Sequence, residues 1–291
     1  MFGVFPAVVT PFDEAGAIDP AAFVRLLAWH ESVGCDGVVV SGTNGEAASM
    51  TVRERMELFD LATTHRGSLR IIAGTGASSL GETLELTRYA GRVGCDAALV
   101  MPPYYFKNPP QEGVTEYFRR VLDGAPLPVL LYNIPQITDT PLEIPTLEAL
   151  AGHPNLAGIK DSSGSVEYLR EALRVLPEKT VMVGQEHLLL ECLRSGGAGT
   201  VSGAANAYPE LAVAVVRAFR QGGDAESAQD RLTAMNAILR SYPLPGAGKA
   251  VARARGLPAG RMRLPLLDLG EAETREMMSR FGAMGLPEGP G

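Results

Sequence analysis

The sequence predicts a (β/α)8 TIM barrel with a small C-terminal helical appendage, and three observations carry that prediction. Eight short apolar runs, each bounded by glycine or proline, recur along the 291 residues and alternate with helix-compatible stretches. Their starts lie 19 to 34 residues apart, which leaves room for one helix and two short loops in each interval. Two of the units also share a junction: SVGCDGVVV and RVGCDAALV repeat Val-Gly-Cys-Asp 60 residues apart, a gap that holds two βα units.

The runs in order are GVFPAVVTPF from Gly3, GVVVSGTNGE from Gly37, RIIAGTGA from Arg70 and AALVMPPYY from Ala97. They continue with PVLLYNIP from Pro128, LAGIKDSSG from Leu156, TVMVGQE from Thr180 and GTVSGAAN from Gly199. They are apolar almost throughout, as parallel strands buried on both faces are. Between them, RERMELFDLATTHR and GETLELTRYAGRVG place apolar residues at helical spacing with charge opposite, the pattern of outer helices. A doubly wound sheet would also alternate in this way, but the Gly-x-Gly-x-x-Gly turn is missing after the first strand. Beyond Asn206 no strand follows, and four helical segments begin with PELAVAVVRAFRQGG, which closes the barrel. The expected division is a catalytic barrel over 1–222 and a helical domain over 223–291, with the terminal LPEGPG frayed.

Composition narrows the function. With 46% apolar and 20% charged residues the chain has the profile of a soluble globular protein with ample core. A net charge of −7, with no cluster of basic side chains, lacks the electrostatic footprint of nucleic-acid binding and leaves small-molecule chemistry. Pro6 and Pro11 break an uncharged N-terminus that makes a poor signal peptide, and no apolar run is of membrane-spanning length. Three cysteines without a Cys-x-x-Cys motif fit a reducing compartment, so the expected location is cytoplasmic. The four histidines, His30, His65, His153 and His187, fall in different units without metal-ligand spacing. No Walker motif or Gly-x-Ser-x-Gly elbow occurs.

Barrel enzymes react substrates at the C-terminal ends of their strands. There the sequence concentrates polar groups: Ser41 to Glu46 after the second run, Tyr104 and Tyr105 after the fourth, Tyr132 and Asn133 ending the fifth, and Lys160 to Ser163 ending the sixth. Lys160 is the most informative, because only four of 26 basic residues are lysines, and arginine serves wherever a generic charge suffices. Desolvating an ammonium at a barrel mouth favours the neutral amine, the form that attacks a carbonyl. The alternative is a lysine paired with Asp161 or Glu186. Tyr132 ends the preceding run, so strands about 4.8 Å apart bring the two side chains to one site, where a phenol suits proton transfer. By itself a strand-end tyrosine is more often a wedge of packing with one satisfied hydroxyl, and the pairing with Lys160 is what singles Tyr132 out. Gly42-Thr43-Asn44-Gly45-Glu46 follows a strand and precedes a helix, and its amides, with the Thr43 hydroxyl, suit a carboxylate; an ordinary βα turn is the alternative.

Together, Thr43-Asn44-Gly45-Glu46, Tyr132-Asn133-Ile134-Pro135, Gly158-Ile159-Lys160-Asp161 and the Gly199 to Asn206 segment resemble the dihydrodipicolinate synthase and N-acetylneuraminate lyase family. The resemblance runs from the opening Val-Thr-Pro-Phe to Arg263-Leu264-Pro265-Leu266. It implies a class I lyase or synthase in which Lys160 forms an imine with pyruvate or another 2-oxo acid. By the same resemblance Tyr132 is the acid/base, Thr43 its relay partner, and Thr43 with Asn44 the carboxylate site. Tyr105 matches a tyrosine that crosses a tight dimer interface, while Gly184 and Val201 match backbone positions lining the pocket. A homotetramer built as a dimer of dimers, with no metal or organic cofactor, is implied as well.

Ile137 stands where dihydrodipicolinate synthases carry an arginine for the aldehyde's carboxylate, a contact no aliphatic side chain makes. Asn44 replaces the second threonine of the usual pair, as in 4-hydroxy-2-oxoglutarate and related 2-oxo acid aldolases. Val52 and Arg55 stand where some feedback-regulated synthases carry histidines. The reading is therefore a 2-oxo acid aldolase of the 4-hydroxy-2-oxoglutarate or 2-keto-3-deoxy acid type. The alternatives are 4-hydroxy-tetrahydrodipicolinate synthase, a sugar-acid dehydratase, and a barrel that binds a 2-oxo acid without turning it over.

Overall fold

The computed structural model describes residues 1–289. All eight runs form strands: β1 (Gly3–Pro6), β2 (Gly37–Val40), β3 (Arg70–Gly74), β4 (Ala97–Val100), β5 (Val129–Asn133), β6 (Leu156–Asp161), β7 (Thr180–Val183) and β8 (Gly199–Ser202). They lie parallel and in sequence order, with β1 paired to β8. The remaining seam closes through a bridge between Ala7 and Val39, where the Val8 N–H donates to the Val39 carbonyl at 3.0 Å. Inside, Phe5, Val39, Ile72, Leu130 and Met182 fill the barrel. Outward residues such as Val38, Ile71 and Leu131 pack beneath the helices, so both faces are buried and the strands read as unbroken apolar runs.

The helices are α1 (Pro20–Ser32), α2 (Val52–Thr64), α3 (Leu80–Arg92), α4 (Gln111–Gly124), α5 (Pro135–Thr138), α6 (Ile144–Leu150), α7 (Val166–Val175), α8 (Leu189–Arg194) and α9 (Pro209–Gln221). The C-terminal part adds α10 (Ala225–Leu239), α11 (Gly246–Ala254) and α12 (Glu271–Ala283). Side chains of Asp19, Thr51, Ser79, Ser165 and Asp224 accept the first free N–H groups of their helices and fix where each begins.

The repeated Val-Gly-Cys-Asp junction has a structural purpose. Val33 and Val93 end α1 and α3, and Gly34 and Gly94 then turn the chain with φ of 91° and 85°, which a side chain resists. Asp36 accepts the Val4 N–H at 2.9 Å and Asp96 the Ile71 N–H at 2.7 Å, so each aspartate pins the base of the neighbouring strand. Cys35 and Cys95 are buried, and desolvation pushes both thiols up to about 12.

Leu232 and Met235 of α10 and Phe281 of α12 join the same apolar core as the barrel's outer helices. The end of the chain differs in part from the expected fraying. Leu286 is buried, and the Gly289 carbonyl accepts from Arg255 Nε at 2.8 Å; residues 290 and 291 of that segment lie outside the described residues. Among the described residues no helix is long and apolar enough to cross a membrane.

Candidate active site

Register brings the first pair together. In the β5–β6 ladder Tyr132 is the Cα partner of Lys160, so both side chains rise on the same face at the C-terminal mouth of the barrel. Lys160 Nζ sits 4.0 Å from the centre of the Tyr132 ring, and Lys160 is only 4% exposed. The pairing alternative is not what the structure holds, because among the described residues Lys160 makes no ion pair. Asp161, on the opposite face of β6, accepts from Asn133 Nδ2 at 2.7 Å, Ser163 Oγ at 2.7 Å and Ser163 N at 3.1 Å. Burial raises its pKa against those bonds. Glu186 accepts from Ser202 Oγ at 2.8 Å and Ala204 N at 3.1 Å. Both candidate counter-ions are therefore engaged elsewhere.

The segment after β2 precedes α2, as the sequence implies; a 3-10 turn, Ala47–Ser49, lies between them, and Thr51 caps α2 in a reciprocal box with Glu54. The turn itself is bent by left-handed backbone at Ser41 and Glu46, both at φ 58°. Its geometry leaves the Thr43 and Asn44 N–H groups with no protein acceptor among the described residues. Adjacent free amides of this kind suit a carboxylate. Thr43 and Tyr132 line a common cavity without bonding to each other.

Sequence reasoning missed what holds this turn. Thr10 Oγ1 donates to the Gly45 carbonyl at 2.7 Å. Buried Arg55 donates from Nε to Ser41 Oγ at 2.9 Å and from Nη2 to the Gly74 and Gly76 carbonyls at 2.7 and 3.0 Å; desolvation lowers it to about 10. Glu46 forms an ion pair with Lys249 of α11 at 2.5 Å and accepts the Arg263 N–H at 2.9 Å. The side chains of Glu46 and Lys249 are fully enclosed. A surplus of arginine over lysine marked Lys249 as well as Lys160, and that was the available signal.

Two adjoining cavities of about 250 Å³ each meet at Thr43, Tyr132, Ile137 and Pro245. One holds Lys160 with Asn44, Gly184 and Val201. The other is walled by Arg55, Leu99, Met101 and Tyr104. The structure thus gathers Lys160, Tyr132, Thr43, Asn44, Gly184, Val201 and Ile137, and leaves Tyr105 out. Tyr105 is 74% exposed and stacks edge-on against Phe106, with ring centres 5.2 Å apart. Gly184 allows a close approach: a Cβ there would meet Ser162 Oγ at 2.0 Å and Lys160 Cε at 2.8 Å. Among the described residues no group of three or more His, Cys, Asp or Glu side chains is placed to hold a metal ion.

An enclosed lysine at the mouth of such a barrel suits an enzyme that attacks a carbonyl. Residues 1–283 match the dihydrodipicolinate synthetase family, and the chain belongs to that family and is a lyase of its class I kind. It is 37% identical over 285 residues to an uncharacterised DapA-like lyase of Chloroflexus aurantiacus, covering 96% of this chain and 95% of the relative. It is 33% identical over 288 residues to the 4-hydroxy-tetrahydrodipicolinate synthase of Methanothrix thermoacetophila, covering 96% of each. Among solved structures, YagE, a prophage protein of the dihydrodipicolinic acid synthase family from E. coli K12 in complex with pyruvate, superposes with a TM-score of 0.93. It shares 28% identity over 99% of both chains.

Proposed function

We propose that this lyase is a 2-oxo acid aldolase of the 4-hydroxy-2-oxoglutarate or 2-keto-3-deoxy acid type, working through an imine on Lys160 with pyruvate as the common product or donor. The observation that carries the reading is one cavity holding an enclosed lysine and the Thr43 and Asn44 amides, the lysine without a counter-ion and the amides without an acceptor among the described residues. The amides receive the 2-oxo acid carboxylate, which sets its C2 carbonyl against Lys160 Nζ. The neutral amine attacks C2; Tyr132 supplies the proton with which the hydroxyl leaves as water, and the protonated imine remains. In cleavage, deprotonation of the C4 hydroxyl breaks the C3–C4 bond, releases an aldehyde and sends the electron pair into the imine as an enamine. A proton returned to C3 and hydrolysis of the imine release pyruvate and regenerate the amine. Thr43 relays protons to Tyr132, and no step uses a metal or organic cofactor.

Aliphatic Ile137 at the cavity wall supports the aldolase reading over the synthase reading, which the named relatives favour. We place the enzyme in the cytoplasm as a homotetramer, in which a second copy covers the exposed Tyr105 and Phe106 and brings Tyr105 to the relay. The test is a pair of assays on the purified protein: pyruvate release from 4-hydroxy-2-oxoglutarate and a 2-keto-3-deoxy sugar acid, and condensation of pyruvate with aspartate semialdehyde. A higher kcat/KM for release upholds the aldolase; a higher one for condensation replaces it with the synthase.

A further inference from the structure

The cavity around Lys160 has a second charged end that the scheme above leaves unused. Its lining residues include two cations, Lys160 at the floor and Arg240 at the rim. Arg240 caps the C-terminus of α10, so it reaches the barrel mouth from the C-terminal helices. A basic residue at a helix C-terminus also suits the helix dipole, which would explain its charge but not its aim. Its aim is set by Gln185, whose Oε1 accepts from Arg240 Nη1 at 3.0 Å while its Nε2 is itself anchored on the Ser162 carbonyl at 3.0 Å. Among the described residues the rest of the guanidinium meets no acceptor.

One helical turn earlier, Asn236 lines the same cavity. It is only 5% exposed, yet among the described residues its amide has no hydrogen-bond partner. It is absent from the fully enclosed polar atoms, so its amide opens to the cavity, where a polar group of the substrate can reach it. Ile137, in the same lining, offers no polar group.

We propose that Asn236 and Arg240 form the receptor for an anionic carboxylate at the far end of the substrate, so that the aldehyde this lyase releases or accepts is itself an acid. The assignment rests on the imine reading and deepens it. The 2-oxo acid carboxylate is held at the Thr43 and Asn44 amides, the carbonyl carbon at Lys160, and the distal carboxylate is met by a guanidinium held in orientation by Gln185. Asn236 Nδ2 donates to the same carboxylate or to a hydroxyl next to it. Arg240 and Asn236 determine specificity and take no part in the covalent steps.

The test needs no knowledge of the natural aldehyde. 2-Oxoadipate and 2-oxohexanoate form the same imine and differ in whether the chain ends in a carboxylate or a methyl; 2-oxoglutarate and 2-oxopentanoate are a shorter pair. Each is titrated against borohydride trapping on Lys160, read by intact mass. The wild-type protein is expected to half-saturate with the diacid at a concentration about tenfold lower or less in at least one pair, the size of one charge-assisted hydrogen bond. Arg240→Gln is expected to erase that preference, Arg240→Lys to keep part of it, and Asn236→Ala to reduce it. Circular dichroism checks that each variant is folded.

No diacid preference in the wild-type protein in either pair, or a preference that survives Arg240→Gln, overturns the assignment. Failure of the imine reading looks different: wild-type protein would then give no Lys160 adduct even with pyruvate. Failure of the receptor alone leaves pyruvate trapped and only the discrimination missing.

Discussion

Replacing Lys249 with methionine isolates the contact that joins the C-terminal helices to the substrate turn. The side chain is fully enclosed, 2.5 Å from Glu46 Oε1 and 2.6 Å from the Arg261 carbonyl. Burial lowers the Lys249 pKa, and the opposing pull of Glu46 does not restore it, so desolvation outweighs the attraction within the pair. Breaking one side of such a pair strands a buried carboxylate and costs about 3–5 kcal/mol. For a chain of this size that lowers the thermal midpoint by about 5–8 °C. Adding Glu46→Gln removes the stranded charge, and the double variant is expected to recover about half the loss or more, about 2 kcal/mol relative to Lys249→Met. Calorimetry of the four proteins measures the cycle. A single variant within about 1 kcal/mol of wild type, or a double variant no better than Lys249→Met, refutes the reasoning.

Three further outcomes follow from named contacts. His30 is fully buried, its Nδ1 has no partner among the described residues, and desolvation lowers it from 6.5 to about 3. The unfolded chain therefore takes the proton first, so this stability is complete above pH 6.5 and is lost as pH falls towards 3. Urea melts are expected to show about 2 kcal/mol lost between pH 7 and 5 from this residue, a slope that His30→Leu flattens. Gly184→Ala drives a methyl against Ser162 Oγ and Lys160 Cε, and should weaken pyruvate trapping about tenfold or more with the fold retained; unchanged trapping would mean the lysine is not held there. Tyr132→Phe should lower turnover about 100-fold or more with a smaller effect on half-saturation by pyruvate; an unchanged rate takes the phenol out of the proton relay.

Much of this architecture was legible because a (β/α)8 barrel writes itself into sequence twice. Its strands are buried on both faces, so each is an apolar run, and polar residues at their ends stand out against that background. Lys160 was conspicuous as a charge inside such a run, and consecutive strands made Tyr132 its neighbour before any coordinates. The supports of the turn were not legible. Glu46 finds Lys249 more than 200 residues away, and Arg55 reads as one more basic residue on an amphipathic helix although it ties β2 to the end of β3. Tyr104 and Tyr105 are adjacent and chemically alike, and only the path of the loop puts Tyr104 at a cavity and Tyr105 outside. The 3-10 turn before α2 escaped for a similar reason: three residues carry no periodicity.

Which atom binds pyruvate decides the mechanism most directly. Borohydride reduction in the presence of pyruvate, followed by intact mass and peptide mapping, converts a transient imine into a permanent adduct at one site. A single adduct is expected on the peptide containing Lys160, lost in Lys160→Ala; no adduct, or one on another lysine such as Lys107 or Lys249, contradicts imine formation at Lys160.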